Sequence, residues 1–264
     1  MIEHSVRDKV IHKLFDPNLP NSPALWAVLK GNHPGKVVVD KGQNPASCVL
    51  RTGAALTYFS RKTSQSFLDQ TIGYFRESGN VWLVWPQQTA LRPPQCEEAV
   101  VIHRLEFFDC DPSAKILDKL RQQLPSDFCI QPIDAKLFKR CAWREEMEYY
   151  SGSFDNFLEH GIGICLLKGE EIIVEAYASS LGKTRAELGA ITREGYRGKG
   201  YAPIACAYLI EIVAQRGYRA YWSCDADHAA SIRLAQKLGF RAERPYKIYE
   251  YEPLIRYASS QAAS

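Results

Sequence analysis

Apolar and polar positions alternate in short blocks through the first half of the chain. "KVVVD", "SCVLRT", "ALTYFS", "VWLVWP" and "AVVIHRLEFF" are β-branched or aromatic and bounded by Gly, Pro, Asn or Ser, which predicts strands. Ile2, Val6, Val10 and Leu14 recur at helical spacing, so "MIEHSVRDKVIHKLF" predicts an amphipathic helix. "SQSFLDQTIGYFRES" has helical spacing through Phe67, Ile72 and Phe75, with Ser64 or Ser66 as its cap. "PSAKILDKLRQQLP" predicts another helix, opened by Pro112 and stopped before Pro125. A boundary near "LPSDF" then divides residues 1–125 from residues 126–257, with the small polar tail 258–264 expected to be disordered.

The second half opens with a predicted strand, "FCIQPID", and a helix, "AKLFKRCAWREEMEYY". A short helix in "SGSFDNFLEHG" follows, then strands "IGICLLKG", "EEIIVEAYASS" and "AELGAIT". "APIACAYLIEIVAQRG" predicts a long helix with Pro203 in its first turn and Gly217 past its end. "RAYWSCD" predicts a strand, "HAASIRLAQKLG" a helix closed by Gly239, and "KIYEYEPL" a last strand.

Between the strand ending at Thr192 and the long helix stands "GYRGKGYAP". A helix N-terminus has amides without internal partners and a partial positive charge, so it attracts anions. Gly198 and Gly200 let backbone approach a ligand, and Arg197 and Lys199 add positive charge. A tight turn with solvated charges is the competing reading of the glycines alone. The stretch is neither G-x-x-x-x-G-K-[ST] nor G-x-G-x-x-G, since Pro203 stands where the latter needs glycine.

Composition changes this picture little. The 264 residues, 46% of them hydrophobic and 24% charged, suit globular structure, and no apolar run has the length of a membrane span. The opening residues are no secretory signal. Eight scattered cysteines without a C-x-x-C pair predict reduced thiols, no zinc or other metal site, and a cytoplasmic protein. The net charge of +3 is too small to imply nucleic acid, and it resides in residues 187–245, with nine Lys and Arg against six Asp and Glu.

"ELGAITREGYRGKGYAPIACAYLI" followed by "YWSCDADHAASIRLAQKLGF" resembles the GNAT acyltransferase superfamily. That family's pyrophosphate loop is [QR]-x-x-G-x-[GA], here Arg197, Gly200 and Ala202. "RGKGYA" and "LAQKLGF" are most similar to the zwittermicin-resistance branch. The matching is clear over residues 187–240 and leaves residues 1 to about 125 unexplained.

The resemblance implies a mixed α/β fold: a twisted, splayed mixed sheet flanked by helices over residues 126–257, with an additional N-terminal α/β domain that is of unknown role or a degenerate GNAT-like half. It implies acetyl-CoA as cosubstrate, no metal, and a small-molecule amine as acceptor. The cofactor would meet Ile191, Thr192, Arg197, Gly198, Lys199, Gly200, Tyr201, Ala202 and Ser231, with a backbone amide near Ile191 facing the thioester carbonyl.

The acceptor amine must lose a proton, and Glu187 is the first candidate base, Glu175 the second. Glu187 competes with a plain reading as a solvated strand-end carboxylate, Glu175 with one as a half-exposed strand residue. Ala235 stands where the family often has its tyrosine acid; Tyr201, Tyr246 and Tyr249 are substitutes, each also explicable as a packed ring. His228 reads as a helix cap, and Cys224 has no base partner that would make it a nucleophile. Two alternatives fit the same motifs: a glycine N-acyltransferase-like enzyme using longer acyl donors, and a non-catalytic coenzyme-sensing module. No acidic run marks a polyamine groove and no basic run marks nucleic acid. No membrane partner is expected, and the N-terminal half is expected to shape the acceptor site or a subunit contact, as in a homodimer.

Overall fold

A computed structural model describes residues 1–95 and 99–254. The first half contains β1 (Ile2–His4), α1 (Lys9–Leu14), α2 (Ser22–Leu29), β2 (Gly35–Val39), β3 (Cys48–Thr52) and β4 (Leu56–Phe59). It continues with α3 (Gln65–Arg76), β5 (Val81–Trp85), β6 (Val100–Phe108) and α4 (Lys115–Arg121). The second half contains β7 (Phe128–Pro132), α5 (Ala135–Phe138), α6 (Arg144–Ser151), α7 (Phe154–His160), β8 (Gly163–Lys168) and β9 (Glu171–Leu181). It ends with β10 (Arg185–Thr192), α8 (Tyr201–Gln215), β11 (Arg219–Asp225), α9 (Ala229–Lys237) and β12 (Ala242–Tyr251).

The twelve strands of the described residues form one mixed sheet in the order β1-β2-β3-β4-β5-β12-β6-β11-β10-β9-β8-β7. The order reads alike from both ends. Each half supplies an antiparallel run of four strands, then a helix, then a strand parallel to the fourth: β4 with β5, and β10 with β11. The two remaining strands are exchanged. β6 of the first half pairs with β11, β12 of the second pairs with β5, and β6 and β12 pair with each other over nine residues.

The sequence boundary near residue 125 therefore does not divide the sheet. A cut there separates β6 from both of its neighbours. The pairing that decides this is long-range, and alternation along a single strand cannot reveal its partner.

Local predictions differ at four further places. Ile2–His4 pairs with Val37–Val39 as an edge strand, so the first helix shrinks to Lys9–Leu14, capped by Asp8. Ile11, not Val10, is its buried residue. "SPALWAVL" forms α2, which the sequence reading missed; it is nearly all buried and so lacks a polar face. The helix expected over residues 135–150 is two, α5 and α6, broken at residues 139–143. The last strand begins at Ala242, earlier than expected. The tail 258–264 and Cys96 lie outside the described residues.

Each half buries apolar residues on both faces of the sheet. In the second half, α4 and α8 cover one face over Ile164, Leu166, Val174 and Leu188, and α5 to α7 cover the other over Cys165, Leu167 and Tyr177. In the first half, α1 and α2 cover Val37, Leu50 and Tyr58, and α3 covers Val38, Val49 and Leu83. The seven described cysteines are free thiols and six are buried, in keeping with their behaviour as small hydrophobes. No described helix is long and apolar enough to cross a membrane.

Candidate active site

The parallel pairing of β10 with β11 runs from Arg185↔Arg219 to Leu188↔Trp222 and stops there. β10 continues to Thr192 against β9, and β11 continues to Asp225 against β6. The two strands diverge, and a cleft of about 1030 Å³ opens between them. A register shift between Glu187 and Leu188 marks where β10 bends away.

One end of the cleft is the glycine loop. Gly198 and Gly200 both have left-handed backbones, φ +76° and +85°, and a Cβ at either would meet no protein atom within 4 Å. Their requirement for glycine is conformational, and the space in front of them is open. The amides of residues 198–202 find no acceptor outside α8 among the described residues. Arg197 is tethered, its Nε donating to the Thr192 carbonyl at 3.2 Å. Tyr201 stacks on Phe128 at 4.9 Å between ring centroids. Lys199 departs from the expected set: its ammonium lies over the Tyr196 ring and does not line the cleft.

The wall along β10 has a defined polarity. The Arg193 amide donates to the Ile173 carbonyl at 2.9 Å. Alternation in an antiparallel pair then turns the amides of residues 191 and 189 toward β9 as well, and those of Ala190 and Thr192 into the cleft. The amide facing the cleft is thus Ala190, one residue from the expected Ile191. Opposite, Ser231 lines the cleft and its Oγ accepts from Trp222 Nε1 at 2.9 Å.

At the other end stands Glu187, half-buried, its carboxylate without a hydrogen-bond donor among the described residues. Burial pushes its pKa up to about 7; Arg104 opposes that rise and Glu106 adds to it. Glu175 lies elsewhere. It is buried on β9, and its two carboxylate oxygens accept from the amides of Ala142 and Trp143 at 2.6 and 3.0 Å. Those bonds hold the break between α5 and α6, and they account for the split helix. The carboxylate is occupied in structure and faces a neighbouring cavity of about 710 Å³, not the Glu187 end of the cleft.

Arg104 is the residue that sequence reasoning missed. It comes from β6, in the half with no recognised motif, and reaches Asp225 Oδ1 at 2.5 Å and Ser223 Oγ at 3.0 Å. Tyr246 from β12 completes this group, 2.8 Å from Ser223 Oγ, with its hydroxyl pushed up to about 12 chiefly by burial. Behind it, buried Glu106 accepts from Tyr221, Arg244 and the Asn21 amide. In "AVVIHRLEFF" the two charges on one face of an apolar strand, Arg104 and Glu106, were the available signal. Trp143, Glu146 and Tyr150 at α6, and Tyr177 on β9, also line the cleft without having been anticipated.

Of the remaining candidates, His228 and Cys224 line the cleft, and Tyr249 and Ala235 do not. Tyr249 packs edge-on against Trp85, 5.5 Å between centroids. His228 caps α9, its Nδ1 accepting from the Ser231 amide at 3.1 Å. Cys224 is buried and burial raises its thiol pKa, which opposes a thiolate nucleophile. Ala235 is fully buried, so no side-chain acid reaches the cleft from that position.

The first half has a counterpart of this splay. β4 and β5 pair only at Leu56↔Trp82 and Thr57↔Leu83. There Phe59 and Trp85 stand 5.3 Å apart, and "SRKTS" leads into α3 without a glycine, capped by Ser64.

A family model for GNAT acetyltransferases matches residues 12–249. An uncharacterized N-acetyltransferase, YdfB, of Bacillus subtilis (strain 168) is 26% identical over 240 residues, covering 85% of this chain and 88% of that protein. A GCN5-related N-acetyltransferase-like protein from Streptococcus suis has a TM-score of 0.67 at 24% identity, covering 92% of this chain and 97% of that one. A tandem GNAT protein from the clavulanic acid biosynthesis pathway has a TM-score of 0.61 at 10% identity, covering 96% and 98%. The match takes in the first half that the motif alone left unexplained, and with the splayed sheet and glycine loop it shows that this chain belongs to the GNAT acetyltransferase family.

Proposed function

We propose that this protein transfers an acetyl group from acetyl-coenzyme A to a primary amine of a small molecule, by direct attack on the thioester. One observation carries the reading: a single cleft has free backbone amides at one end and a carboxyl with a pKa of about 7 at the other. The residues present fit the cosubstrate. Residues 198–202 offer unpaired amides to a pyrophosphate, helped by the α8 N-terminus and Arg197. Ala190 and Thr192 offer backbone polar groups to an extended amide-bearing arm. The coenzyme, when bound, supplies the acetyl group as an electrophilic thioester.

Glu187 takes the proton of the acceptor amine. An alkylammonium near pKa ~10 is mostly charged at neutral pH, so a base beside it must accept the proton as the nitrogen attacks. A carboxyl near 7 is about half ionised there and returns the proton readily. The Ala190 amide is the donor for negative charge on the carbonyl oxygen. The leaving thiol, near pKa ~8.5, needs no strong acid, which agrees with Ala235 and with a Tyr246 hydroxyl held near 12.

The symmetric strand order supports reading the first half as a degenerate GNAT-like half that has lost its phosphate loop. Within the family, "RGKGYA" and "LAQKLGF" support a place near the zwittermicin-resistance branch. The test is release of free thiol from acetyl-coenzyme A with a panel of primary amines. Amine-dependent release that Glu187→Gln suppresses is expected. Release no faster with any amine than without one defeats the reading.

A further inference from the structure

The acceptor end of the cleft gathers acidic and aromatic side chains that are distant in sequence. Glu146 and Tyr150 come from α6, Trp143 from the turn before it, Tyr177 from β9 and Glu187 from β10. Trp143 and Tyr177 meet edge to face with centroids 5.8 Å apart. The Trp143 ring lies over Gly189, since a Cβ there would come within 3.6 Å of it. Neither Glu146 nor Glu187 forms an ion pair among the described residues.

Charge is segregated along the cleft. Arg197, Arg233 and Lys237 line the end beside the glycine loop and α9. At the Glu187 end the cleft's cation is Arg104, and Asp225 already holds it at 2.5 Å. Glu146 and Glu187 are left facing the same space. Burial is the main reason that the Tyr150 and Tyr177 hydroxyls sit above their ordinary range, and both carboxylates add to it at each ring. The two carboxylates thus flank the same pair of phenols.

We propose that the acceptor carries a second cationic nitrogen, as a diamine or polyamine does, its distal ammonium held by Glu146 among the aromatic walls while the proximal nitrogen faces Glu187. The role of the proximal nitrogen rests on the acyl-transfer reading; recognition of the distal one does not. An ammonium satisfies an unpaired carboxylate and is attracted to an aromatic face, best to tryptophan. Glu146 is exposed, and a monoamine leaves its carboxylate to water. An acceptor with a carboxylate or phosphate brings a third negative group to this end and is disfavoured.

Calorimetry on the full protein saturated with free coenzyme A tests this without requiring turnover. The probes are 1,4-diaminobutane, spermidine and 1-aminobutane. Binding of either polycation at least tenfold tighter than 1-aminobutane is expected, and Glu146→Gln should abolish most of that difference. Glu146→Asp, which keeps the charge, should retain part of it. Equal binding of the diamine and monoamine, no heat from any probe at millimolar concentration, or a preference untouched by Glu146→Gln overturns the proposal. Absence of thiol release by the parent protein with a diamine that does bind would defeat the acyl-transfer reading and leave this one standing.

Discussion

The Arg104 guanidinium lies 2.5 Å from Oδ1 of Asp225, and the contact joins the half of the chain without a glycine loop to the half that has one. The same guanidinium opposes the rise in the Glu187 pKa. Arg104→Met should therefore raise that pKa further and move the acid limb of kcat/KM to higher pH. At pH 7 the rate should fall roughly two- to fivefold, the effect of about half to one unit on a group that is half ionised there, and recover by pH 9. Superimposable pH profiles for variant and parent would show that Arg104 does not act on the base.

Glu187→Gln keeps shape and removes basicity, so acyl transfer should fall by roughly 10²–10⁴ while coenzyme affinity stays within about twofold. The parent's kcat/KM should rise through a pKa near 7, because the base works when ionised. Stability follows the opposite sign. A carboxyl whose folded pKa is raised binds protons more readily in the folded state, so its favourable contribution is present at low pH and is lost as pH climbs toward 7. Glu187→Gln should accordingly gain stability over the parent between pH 5 and pH 8, by roughly 1–2 kcal/mol after allowance for solvent screening. Thermal unfolding at the two pH values measures it.

Glu175→Gln separates an anchor from a base. Its carboxylate accepts two backbone amides at the start of α6, and glutamine replaces one of those acceptors with a donor. A loss of about 1–3 kcal/mol in unfolding free energy is expected. The position of the acid limb should stay at the parental pH, which a catalytic Glu175 would not allow.

Gly200→Glu places a side chain and a negative charge in front of the loop amides. The space there is free of protein atoms, so the fold should survive with roughly 1 kcal/mol of backbone strain from the left-handed φ of +85°. Acetyl-coenzyme A affinity should drop at least tenfold, about 1.4 kcal/mol. Unchanged affinity by calorimetry would remove the loop from the binding site.

Much of the second half is legible along the chain because its information is local. The glycines at 198 and 200 allow a backbone that other residues resist, Pro203 suits the first turn of α8, and α8 to β11 follow within hydrogen-bonding reach. Strands β2 to β6 are legible for the same reason, through alternation and turn residues, whereas the three residues of β1 are too few to show alternation. α2 was not, since a fully buried helix has no polar face to give it periodicity. Glu187 was a candidate from its place on the strand before the glycine loop, but its pKa depends on burial and on charges at Arg104 and Glu106, more than eighty residues earlier in the chain.

The sequence alone determined the glycine loop, the strand before it and the helix after it, all of which depend on neighbours a few residues apart. Only the tertiary structure decided that β6 and β12 change places between the halves, that Arg104 reaches Asp225, and that Glu146 and Glu187 share one cleft. Those relations are set by which strand edges meet and what the meeting buries, and strand edges carry no mark of their partner in the order of residues.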